Sequence, residues 1–456
     1  MKTVALHNLG CKVNGYEMDV MCQKLQQNGY NIVPFDDIAD IYIINTCTVT
    51  NIADRKSRQM LHRAKKENPN AIVIAVGCYV ETAKDNVSVD DAIDLAVGNN
   101  KKGQIVEIIE EFLRQKGLMG DDQKPDKTLD GMSMVDINHT NEYEQMQLGE
   151  LPDHTRAYIK IQDGCNQFCT YCIIPFARGR VRSRLQGDVM TEIMQLAKEG
   201  CKEVVLTGIH IGSYGLDRGG SELLELIKKI HMITGIERIR LGSLEPRIIT
   251  KEFAEGIAAL PKVCPHFHLS LQSGCDATLK RMNRHYDCRE FEDGVNMLRR
   301  VYDRPAITTD VIVGFPGETE DEFKETVEYL ERINFYEMHV FKYSKRHGTV
   351  AEKMPDQLTE KEKAARSDVL LEMTKRQSKA YRDTFIDQDE DVLWEDEEET
   401  DGISYLVGHT KRYVKVGMPA GEAKAKGIKS GDITDVHLGD YINVDTLRTF
   451  DNYSMM

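Results

Sequence analysis

The chain has 456 residues, of which 41% are hydrophobic, and this is enough for two to four domains with sizeable cores. Its net charge of −15 argues against bulk electrostatic attraction to nucleic acid, although a local basic surface is compatible with it. There is no signal-peptide pattern and no run of apolar residues long enough to span a membrane, so we expect a cytoplasmic protein. The eleven cysteines then point to metal or redox chemistry rather than to disulfides.

The first part of the chain alternates strand-like and helical patterns in the order β-α-β-α-β. This order predicts a parallel sheet, in a domain of residues 1–145. A cysteine follows each of the three predicted strands, at Cys11, Cys47 and Cys78. Because the carboxyl ends of parallel strands meet at one edge of the sheet, we expect these thiols to converge there.

Any one of these cysteines alone is best explained as an ordinary buried cysteine, but three at equivalent strand ends favour a common site. A structural zinc site normally takes four protein ligands, and no fourth cysteine or histidine stands at a comparable position. An iron–sulfur cluster with one exchangeable iron fits the three thiols better.

A polar segment without sustained periodicity, residues 121–154, predicts a linker, after which strand and helix patterns repeat about six times within residues 146–385. This repeat predicts a (β/α)6 partial barrel like part of a TIM barrel, with its active site at the carboxyl ends of the strands. His266 and His268 alternate along one predicted strand. We interpret them as a strand face packed inside the barrel rather than as metal ligands.

The string DGCNQFCTYCIIPFARGR follows the first barrel strand and carries Cys165, Cys169 and Cys172 in a C-x3-C-x2-C pattern. A ferredoxin run would be more closely spaced and would supply a fourth cysteine, whereas the next one here is Cys201, at the end of a predicted helix. Three thiolates on a four-iron cluster leave one iron open for a substrate or cofactor. The loop resembles the signature of radical S-adenosylmethionine enzymes, with Tyr171 before its last cysteine.

The resemblance extends over nearly the whole chain. Together with the three cysteines of the first domain, the strings GCNQFCTYCIIPFARG, LQSGCDATLKRMNRHY and TDVIVGFPGETEDEF resemble those of the methylthiotransferases, most closely the MtaB type that acts on threonylcarbamoyladenosine in tRNA. The resemblance implies two [4Fe-4S] clusters, with S-adenosylmethionine as radical source and methyl donor. It also implies that carbon 2 of N6-threonylcarbamoyladenosine at tRNA position 37 receives a methylthio group.

Short strand patterns at turn-rich spacing in residues 386–450 predict a small antiparallel β-barrel. This part resembles the TRAM domain, an OB-like RNA-binding module. Lys411 and Arg412, with Tyr405, Tyr413 and Lys415, would give it charge and aromatic surface for tRNA. A solvated β-surface explains these residues equally well, and the acidic WEDEEETD nearby weakens the electrostatic argument.

The resemblance also implies residues that bind S-adenosylmethionine at successive strand ends. They are Tyr171, Thr207, Gly208, Ser243, Glu245, Gln272 and Gly314. The string LTGIH lacks the second glycine and the glutamate of the usual Gly-Gly-Glu motif, which leaves the roles of Thr207 and Gly208 open.

Basic residues near the cysteine loop are candidates for tRNA contacts, with a solvated face as the alternative. Those expected at the rim of the active-site mouth are Arg178, Arg180, Arg182 and Arg184. The basic helix DRKSRQMLHRAKK could extend this track. Arg247, just past a predicted barrel strand, is a candidate for binding the threonylcarbamoyl carboxylate, and an exposed arginine at a helix start explains it equally well.

The expected partners are a tRNA anticodon stem-loop, a reducing electron donor such as flavodoxin or ferredoxin, and a sulfur source, for a protein that acts as a monomer. Three other functions compete with this one. They are methylthiolation of isopentenyladenosine in tRNA, methylthiolation of a ribosomal-protein aspartate, and a non-catalytic iron–sulfur redox role. Failure to cleave S-adenosylmethionine would favour the last.

Overall fold

The computed structural model describes residues 2–118, 131–152 and 155–450, so parts of the predicted linker lie outside the described residues. The helices are α1 (Lys12–Gln27), α2 (Asn51–Glu67), α3 (Cys78–Thr82), α4 (Lys84–Val87), α5 (Ile105–Gln115), α6 (Ile174–Ala177), α7 (Gln186–Lys198), α8 (Leu223–His231), α9 (Lys251–Ala258), α10 (Asp276–Arg281), α11 (Cys288–Val301), α12 (Glu320–Ile333), α13 (Glu360–Asp383) and α14 (Ala420–Ala425). None of the described helices is both long and apolar enough to cross a membrane.

The strands are β1 (Thr3–Asn8), β2 (Asn31–Val33), β3 (Ile41–Thr46), β4 (Ile72–Gly77), β5 (Leu95–Val97), β6 (Met132–Ser133), β7 (Arg156–Asp163), β8 (Arg182–Ser183), β9 (Glu203–Gly208), β10 (Arg238–Leu241), β11 (His266–His268), β12 (Ala306–Val313), β13 (Glu337–Lys342), β14 (Asp389–Thr400), β15 (Ile403–Thr410), β16 (Lys415–Pro419), β17 (Ile433–Tyr441) and β18 (Thr446–Phe450).

The first unit is a parallel sheet of six strands in the order β2-β1-β3-β4-β5-β6, as the alternation of strand and helix predicted. Every residue of β3 and β4 is buried, because helices cover both faces of a parallel sheet. The pairs Asn8↔Asn45 and Thr46↔Gly77 bring the carboxyl ends of β1, β3 and β4 side by side. The sequence did not predict the short strands β2, β5 and β6, and β6 arises from inside the predicted linker.

The central unit is a partial barrel of six parallel strands, β7, β9, β10, β11, β12 and β13. Two hydrogen-bonded groups of strands meet through isolated bridges at Ile239↔Val263 and Leu244↔Leu269, and the short β8 adds an antiparallel edge beside β7. Helices α7, α8, α9, α11 and α12 connect successive strands. The architecture confirms the predicted (β/α)6 partial barrel.

Alternation along β12 separates the outer surface of this barrel from its lumen. Ile307 and Val311 pack in the main hydrophobic core with Leu330 of the covering helix α12. The intervening Thr308 and Asp310 point the other way, where they meet polar side chains of β11 and β13. The lumen of the barrel is therefore polar while its outer surface is apolar.

Helix α1 of the first unit packs against β7 and β9 of the barrel. Its apolar residues, among them Tyr16 and Met18, belong to the same buried core as Leu148 and Ile193. The Tyr16 hydroxyl donates to the carbonyl oxygen of Met146 at 2.7 Å. Hydrophobic packing thus continues across the boundary between the first two units.

The third unit is a closed barrel with the strand order β14-β15-β16-β18-β17, and only the β16–β18 pair is parallel among its described pairs. Trp394 is fully buried in its core and donates its indole N–H to Thr434 Oγ1 at 2.7 Å. Tyr413, in the turn after β15, packs under the central barrel against His266 with ring centroids 5.0 Å apart. The third unit therefore closes the amino end of the central barrel.

Candidate functional site

The loop of Cys165, Cys169 and Cys172 leaves β7 and runs into α6. Its ends are tied together, since the amide of Cys165 donates to the carbonyl oxygen of Gly179 at 3.0 Å. Gly164 has φ +71°, and a Cβ there would lie 1.9 Å from the carbonyl oxygen of Arg180. The tight loop therefore requires glycine at this position, because any other side chain would collide with the backbone.

The surroundings of the three thiols in this loop favour metal binding over exposure to solvent. Burial raises the pKa of Cys165 to about 11 and that of Cys172 to about 12. Such thiols ionise only when a nearby cation compensates for the lost solvation, as iron does. Arg284 Nη1 donates to Cys169 Sγ at 3.1 Å and supplies a further positive charge. The donor set fits the three protein ligands of a [4Fe-4S] cluster.

The second group of cysteines lies where the sheet predicts, just after the ends of β1, β3 and β4. Burial, together with the nearby thiols of Cys78 and Cys11, raises the pKa of Cys47 to about 11. A Cβ on Gly10 would approach the Cβ of Cys47 to 3.3 Å, so the first two loops are in close contact. The structure therefore brings together the three cysteines that the sequence predicted to converge.

The two cysteine groups lie on either side of one interface. Helix α3, which begins at Cys78, packs against α6, which follows Cys172. Asn99 Nδ2 lies 3.6 Å from Cys78 Sγ and 2.8 Å from the carbonyl oxygen of Ala177. One amide group therefore links the loop of one cysteine group to the loop of the other.

A buried group of charged side chains fills the interface behind these loops. Its central carboxylate, Glu17 of α1, accepts from Arg178 at 2.8 Å, from Lys160 at 2.6 Å and from Lys102. Burial alone would raise the pKa of Glu17, but these three cations hold it well below its usual range. Arg178 also donates to Asn14 at 2.6 Å, and Asn14 Oδ1 lies 3.9 Å from Cys11 Sγ.

The prediction that the four arginines after the cysteine loop lie exposed at the active-site mouth is wrong for three of them. Arg178 is 0% exposed, and Arg182 and Arg184 are each 1% exposed. Arg184 pairs with Glu192, and Arg182 donates to backbone carbonyl oxygens. Only Arg180 is partly exposed, with its guanidinium 4.5 Å from the Phe168 ring centroid. Burial of Arg178 and Arg184 follows from acidic partners on helices, Glu17 of α1 and Glu192 of α7.

The end of β9 lies beside the cysteine loop. Gly208 is close to Gln162 of β7, because a Cβ there would lie 2.9 Å from Gln162 Oε1. That oxygen accepts from the amide of His210 at 2.7 Å. His210 in turn contacts Glu245, with 3.4 Å between Nε2 and Oε2. Thr207 is buried at the same strand end.

The remaining predicted cofactor residues have different surroundings. Glu245 also accepts from Gln167 Nε2 of the cysteine loop at 3.2 Å, whereas Ser243 is exposed. Gln272 has φ +76°, a left-handed conformation that is costly for a residue with a side chain and that marks many functional sites. Gly314 has φ +70°, and the Lys363 side chain occupies the space beside it.

Two further predictions concern the ends of the barrel. At the carboxyl end, Tyr171 packs against Phe315 with ring centroids 6.4 Å apart, and Arg247 is exposed on the wall of a cavity of about 460 Å³ that also includes Gln167. At the amino end, Arg412 pairs with Glu390 at 2.9 Å and lies at the contact with the central barrel. Lys411 is there as well, 3.5 Å from Asp391.

Sequence reasoning missed Asn14, Glu17, Asn99 and Arg284. Arg284 lies within the string LQSGCDATLKRMNRHY, so a signal for it was present, but its contact with Cys169 depends on the fold. For the other three, no local pattern distinguishes them from ordinary polar residues of a helix or loop.

A partial barrel with a C-x3-C-x2-C loop after its first strand defines the class of radical S-adenosylmethionine enzymes. Consistent with this, the model of the radical SAM superfamily matches residues 159–330, and that of the uncharacterized protein family UPF0004 matches residues 3–98. The solved structure of the radical S-adenosylmethionine methyltransferase TsrM from Kitasatospora setae has a similar fold, with a TM-score of 0.54 and 16% identity, covering 75% of each chain.

Relatives that cover most of the chain narrow the class to enzymes named for methylthiolation of tRNA. The threonylcarbamoyladenosine tRNA methylthiotransferase MtaB of Bacillus subtilis (strain 168) is 38% identical, over 94% of this chain and 95% of its own. The tRNA-2-methylthio-N(6)-dimethylallyladenosine synthase of Pelotomaculum thermopropionicum is 33% identical, over 90% of each chain. The chain belongs to the radical S-adenosylmethionine methylthiotransferases, and membership of this class implies S-adenosylmethionine and one [4Fe-4S] cluster.

Proposed function

We propose that this enzyme methylthiolates carbon 2 of N6-threonylcarbamoyladenosine at position 37 of tRNA. The observation that carries the proposal is the pair of cysteine groups on the two sides of one interface, linked by Asn99. A group that activates carbon 2 and a group that delivers sulfur to it must both reach the same atom. Two ligand sets in neighbouring loops meet that requirement, whereas an electron carrier does not need them.

Cys165, Cys169 and Cys172 would hold the cluster that binds S-adenosylmethionine, and Cys11, Cys47 and Cys78 would hold a second [4Fe-4S] cluster. When loaded, these groups would supply radical chemistry for removal of the hydrogen on carbon 2, and they would supply the sulfur and the methyl group that replace it. The protein positions them: Glu17 and Arg178 fix the two loops relative to each other, and Arg284 offsets the negative charge of the Cys169 thiolate.

Two observations support tRNA carrying threonylcarbamoyladenosine as the substrate. The relatives with the higher identities, 38% and 40%, are named for that nucleoside, and a relative at 33% is named for dimethylallyladenosine. The lumen of the barrel is polar, which suits a hydrophilic substituent better than an apolar one. The partners would be the tRNA anticodon stem-loop, a reducing electron donor such as flavodoxin or ferredoxin, and a sulfur source.

The proposal is tested by mass spectrometry of tRNA nucleosides from a strain that lacks this gene. We expect 2-methylthio-N6-threonylcarbamoyladenosine to disappear and to return with the unmodified gene. It should not return when Cys165, Cys169 and Cys172, or Cys11, Cys47 and Cys78, are replaced by alanine. In vitro, only the first triple variant should lose 5′-deoxyadenosine formation, because the two groups have separate ligands. Each triple variant should retain about half of the iron.

Three results would contradict this proposal. Loss of 2-methylthio-isopentenyladenosine instead would assign the enzyme to the other nucleoside, and an unchanged nucleoside profile would assign it to another substrate, such as a ribosomal-protein aspartate. Normal product formation by the variant lacking Cys11, Cys47 and Cys78 would show that the second group does not deliver sulfur.

A further inference from the structure

Three polar side chains meet on the lumen wall of the central barrel. His268 lies on β11, Asp310 on β12 and His339 on β13. The register pairs Asp310 directly with His339. One potential ligand atom from each residue lies within 4.8 Å of the others. We call these three residues the wall group. Nothing in the proposed chemistry of the two cysteine groups uses it.

The contacts within the wall group leave hydrogen-bonding capacity facing the lumen. His268 Nδ1 lies 3.0 Å from Thr308 Oγ1, whereas the buried Nε2 lies 3.3 Å from Asp310 Oδ2 without forming a hydrogen bond to any described residue. The Asp310 carboxylate therefore keeps a free oxygen as an acceptor. His339 is exposed and stacks on His268 with ring centroids 5.7 Å apart, without a hydrogen bond to any described residue.

Lys12 adds a cation from the first unit. It is the first residue of α1, the helix that packs against β7 and β9, and its ammonium group is within electrostatic range of Arg156, Glu203 and Arg240 on β7, β9 and β10. Lys12 and His268 are both close enough to His266 to lower its pKa, so they approach the same part of the lumen. No described residue forms an ion pair or a hydrogen bond with Lys12.

The charges around Lys12 favour an anion from outside the chain. Glu203 is the common carboxylate of this region, and it is already paired with Arg240 at 2.9 Å and with Arg156 at 3.3 Å. Arg156 takes a second carboxylate, Glu395 of the third unit. Lys12 is therefore left as an uncompensated cation in a partly desolvated lumen, where pairing with an anion is worth more than at an open surface.

The wall group lies at the right depth for the substituent of the proposed substrate. Asp310 precedes the strand end at Val313 by three residues, or about 10 Å along β12. The cysteine loop lies at that end, where Tyr171 contacts Phe315. Carbon 2 and carbon 6 of adenine are separated by N1, so the bond to the hydrogen on carbon 2 and the bond to N6 diverge. When carbon 2 faces the cysteine groups, a substituent on N6 can therefore extend away from them and into the lumen.

We infer that Lys12 and the wall group form the binding site for the threonylcarbamoyl substituent, an inference that rests on the proposed function. Lys12 pairs with the carboxylate, His339 donates to the carbonyl oxygen, and the free oxygen of Asp310 accepts from the hydroxyl or amide of the substituent. Arg247, the candidate from the sequence, lies instead on the wall of the cavity at the mouth.

This site also explains how an isopentenyl group would be rejected. That substituent has no hydrogen-bonding atom, so its entry would leave Lys12, Asp310 and His339 desolvated without partners. A site built to hydrogen-bond its ligand discriminates strongly against an analogue that lacks the polar groups, because unpaired buried groups carry the whole cost of desolvation.

The experiment measures equilibrium binding of anticodon stem-loops to the cluster-loaded enzyme. Two stem-loops of the same sequence carry either threonylcarbamoyladenosine or plain adenosine at position 37, and the readout is the ratio of their Kd values. We expect Lys12→Gln to reduce this preference by about 10- to 100-fold, the range for a hydrogen bond to a charged group, and His339→Phe by about 2- to 10-fold, the range for a neutral one. His339→Phe keeps the ring that stacks on His268, and Lys12→Arg should restore part of the preference.

Controls separate this inference from damage to the clusters and from failure of the proposed function. Lys324→Gln, on the outer helix α12 and 74% exposed, should leave the ratio unchanged, and iron content should be normal in every variant. An unchanged ratio in both Lys12→Gln and His339→Phe would overturn the inference, as would a loss seen only in Arg247→Gln. If the unmodified enzyme itself shows no preference for threonylcarbamoyladenosine, the proposed function fails instead.

Discussion

Glu81 is a buried carboxyl group three residues after Cys78 in α3, and neither of its oxygens has a hydrogen-bond partner among the described residues. Burial raises its pKa to about 7, although Lys84, 3.8 Å away, partly opposes this. In the unfolded chain the same group titrates near 4.5. Between these two values the folded protein holds a proton that the unfolded chain has lost.

The free energy of unfolding should therefore fall as pH rises from about 4.5 to 7, by roughly 3 kcal/mol from this group alone, and it should change no further above that range. Glu81→Gln cannot ionise and removes this decrease. The free energy of unfolding of the variant minus that of the unmodified protein should be about 2.5 kcal/mol higher at pH 8 than at pH 5, as measured by denaturant unfolding at each pH. A difference between the two proteins that is independent of pH would show that Glu81 is charged in the fold.

The cysteines and Arg178 show which features of single residues can be predicted from the sequence and which cannot. The positions of the six cysteines followed from local spacing and from strand ends, and the structure brings Cys11, Cys47 and Cys78 together as predicted. Burial of Arg178 could not be predicted, because its partner Glu17 is 161 residues away. The sequence of an arginine cluster does not show whether the cluster is buried against acidic residues of another unit or exposed to solvent.

Helix α1 does more than cover the first sheet. One of its ends carries Lys12 beside Cys11, and its middle carries Glu17 into the interface with the central barrel. The helical pattern predicted that this element exists, but an apolar stripe does not reveal that a buried glutamate within it binds three cations of other elements. Burial costs of this size are tolerated only when each charge is paired.

Glu17→Gln leaves Arg178, Lys160 and Lys102 buried without their common carboxylate. We expect a loss of about 3–5 kcal/mol in the free energy of unfolding, which is the usual cost of removing one partner from a buried ion pair. Denaturant unfolding of the cluster-free protein measures it. Glu225→Gln, whose parent carboxylate is 57% exposed and lies 3.7 Å from Lys229, is the matched control and should change stability by no more than about 0.5 kcal/mol. An equal effect of the two changes would mean that loss of the Glu17 carboxylate does not leave the buried cations at a measurable cost in stability.

In the molecule as a whole, one tyrosine contributes several of the contacts that join the third unit to the amino end of the barrel. The Tyr413 ring centroid lies 4.7 Å from the Arg240 guanidinium and 5.2 Å from that of Arg156. Alternating strand patterns were sufficient to predict a small barrel in this region. They did not predict that the basic turn of Lys411 and Arg412 faces the central barrel, because docking of one unit on another leaves no periodic signal.

Tyr413→Ala should loosen this docking while leaving each unit folded. Removing the two cation–π contacts costs about 2–4 kcal/mol at a desolvated site. We expect faster hydrogen exchange at the contact surfaces, and a larger radius of gyration by small-angle X-ray scattering. Ile403→Ala, at a position 51% exposed on the same barrel, should change neither quantity. Unchanged exchange in Tyr413→Ala would assign the docking to other contacts, such as that between Arg238 and the carbonyl oxygen of His409.

Closure of the barrel's amino end by Tyr413 has a kinetic consequence. If tRNA binds at the carboxyl end, as the proposed function requires, the nucleic acid covers the route by which S-adenosylmethionine reaches the cysteine loop. Binding of the small molecule before the tRNA would then be favoured, and release of methionine and 5′-deoxyadenosine would follow movement of the tRNA. Turnover that needs two molecules of S-adenosylmethionine would thus require the tRNA to dissociate, at least partly, between them.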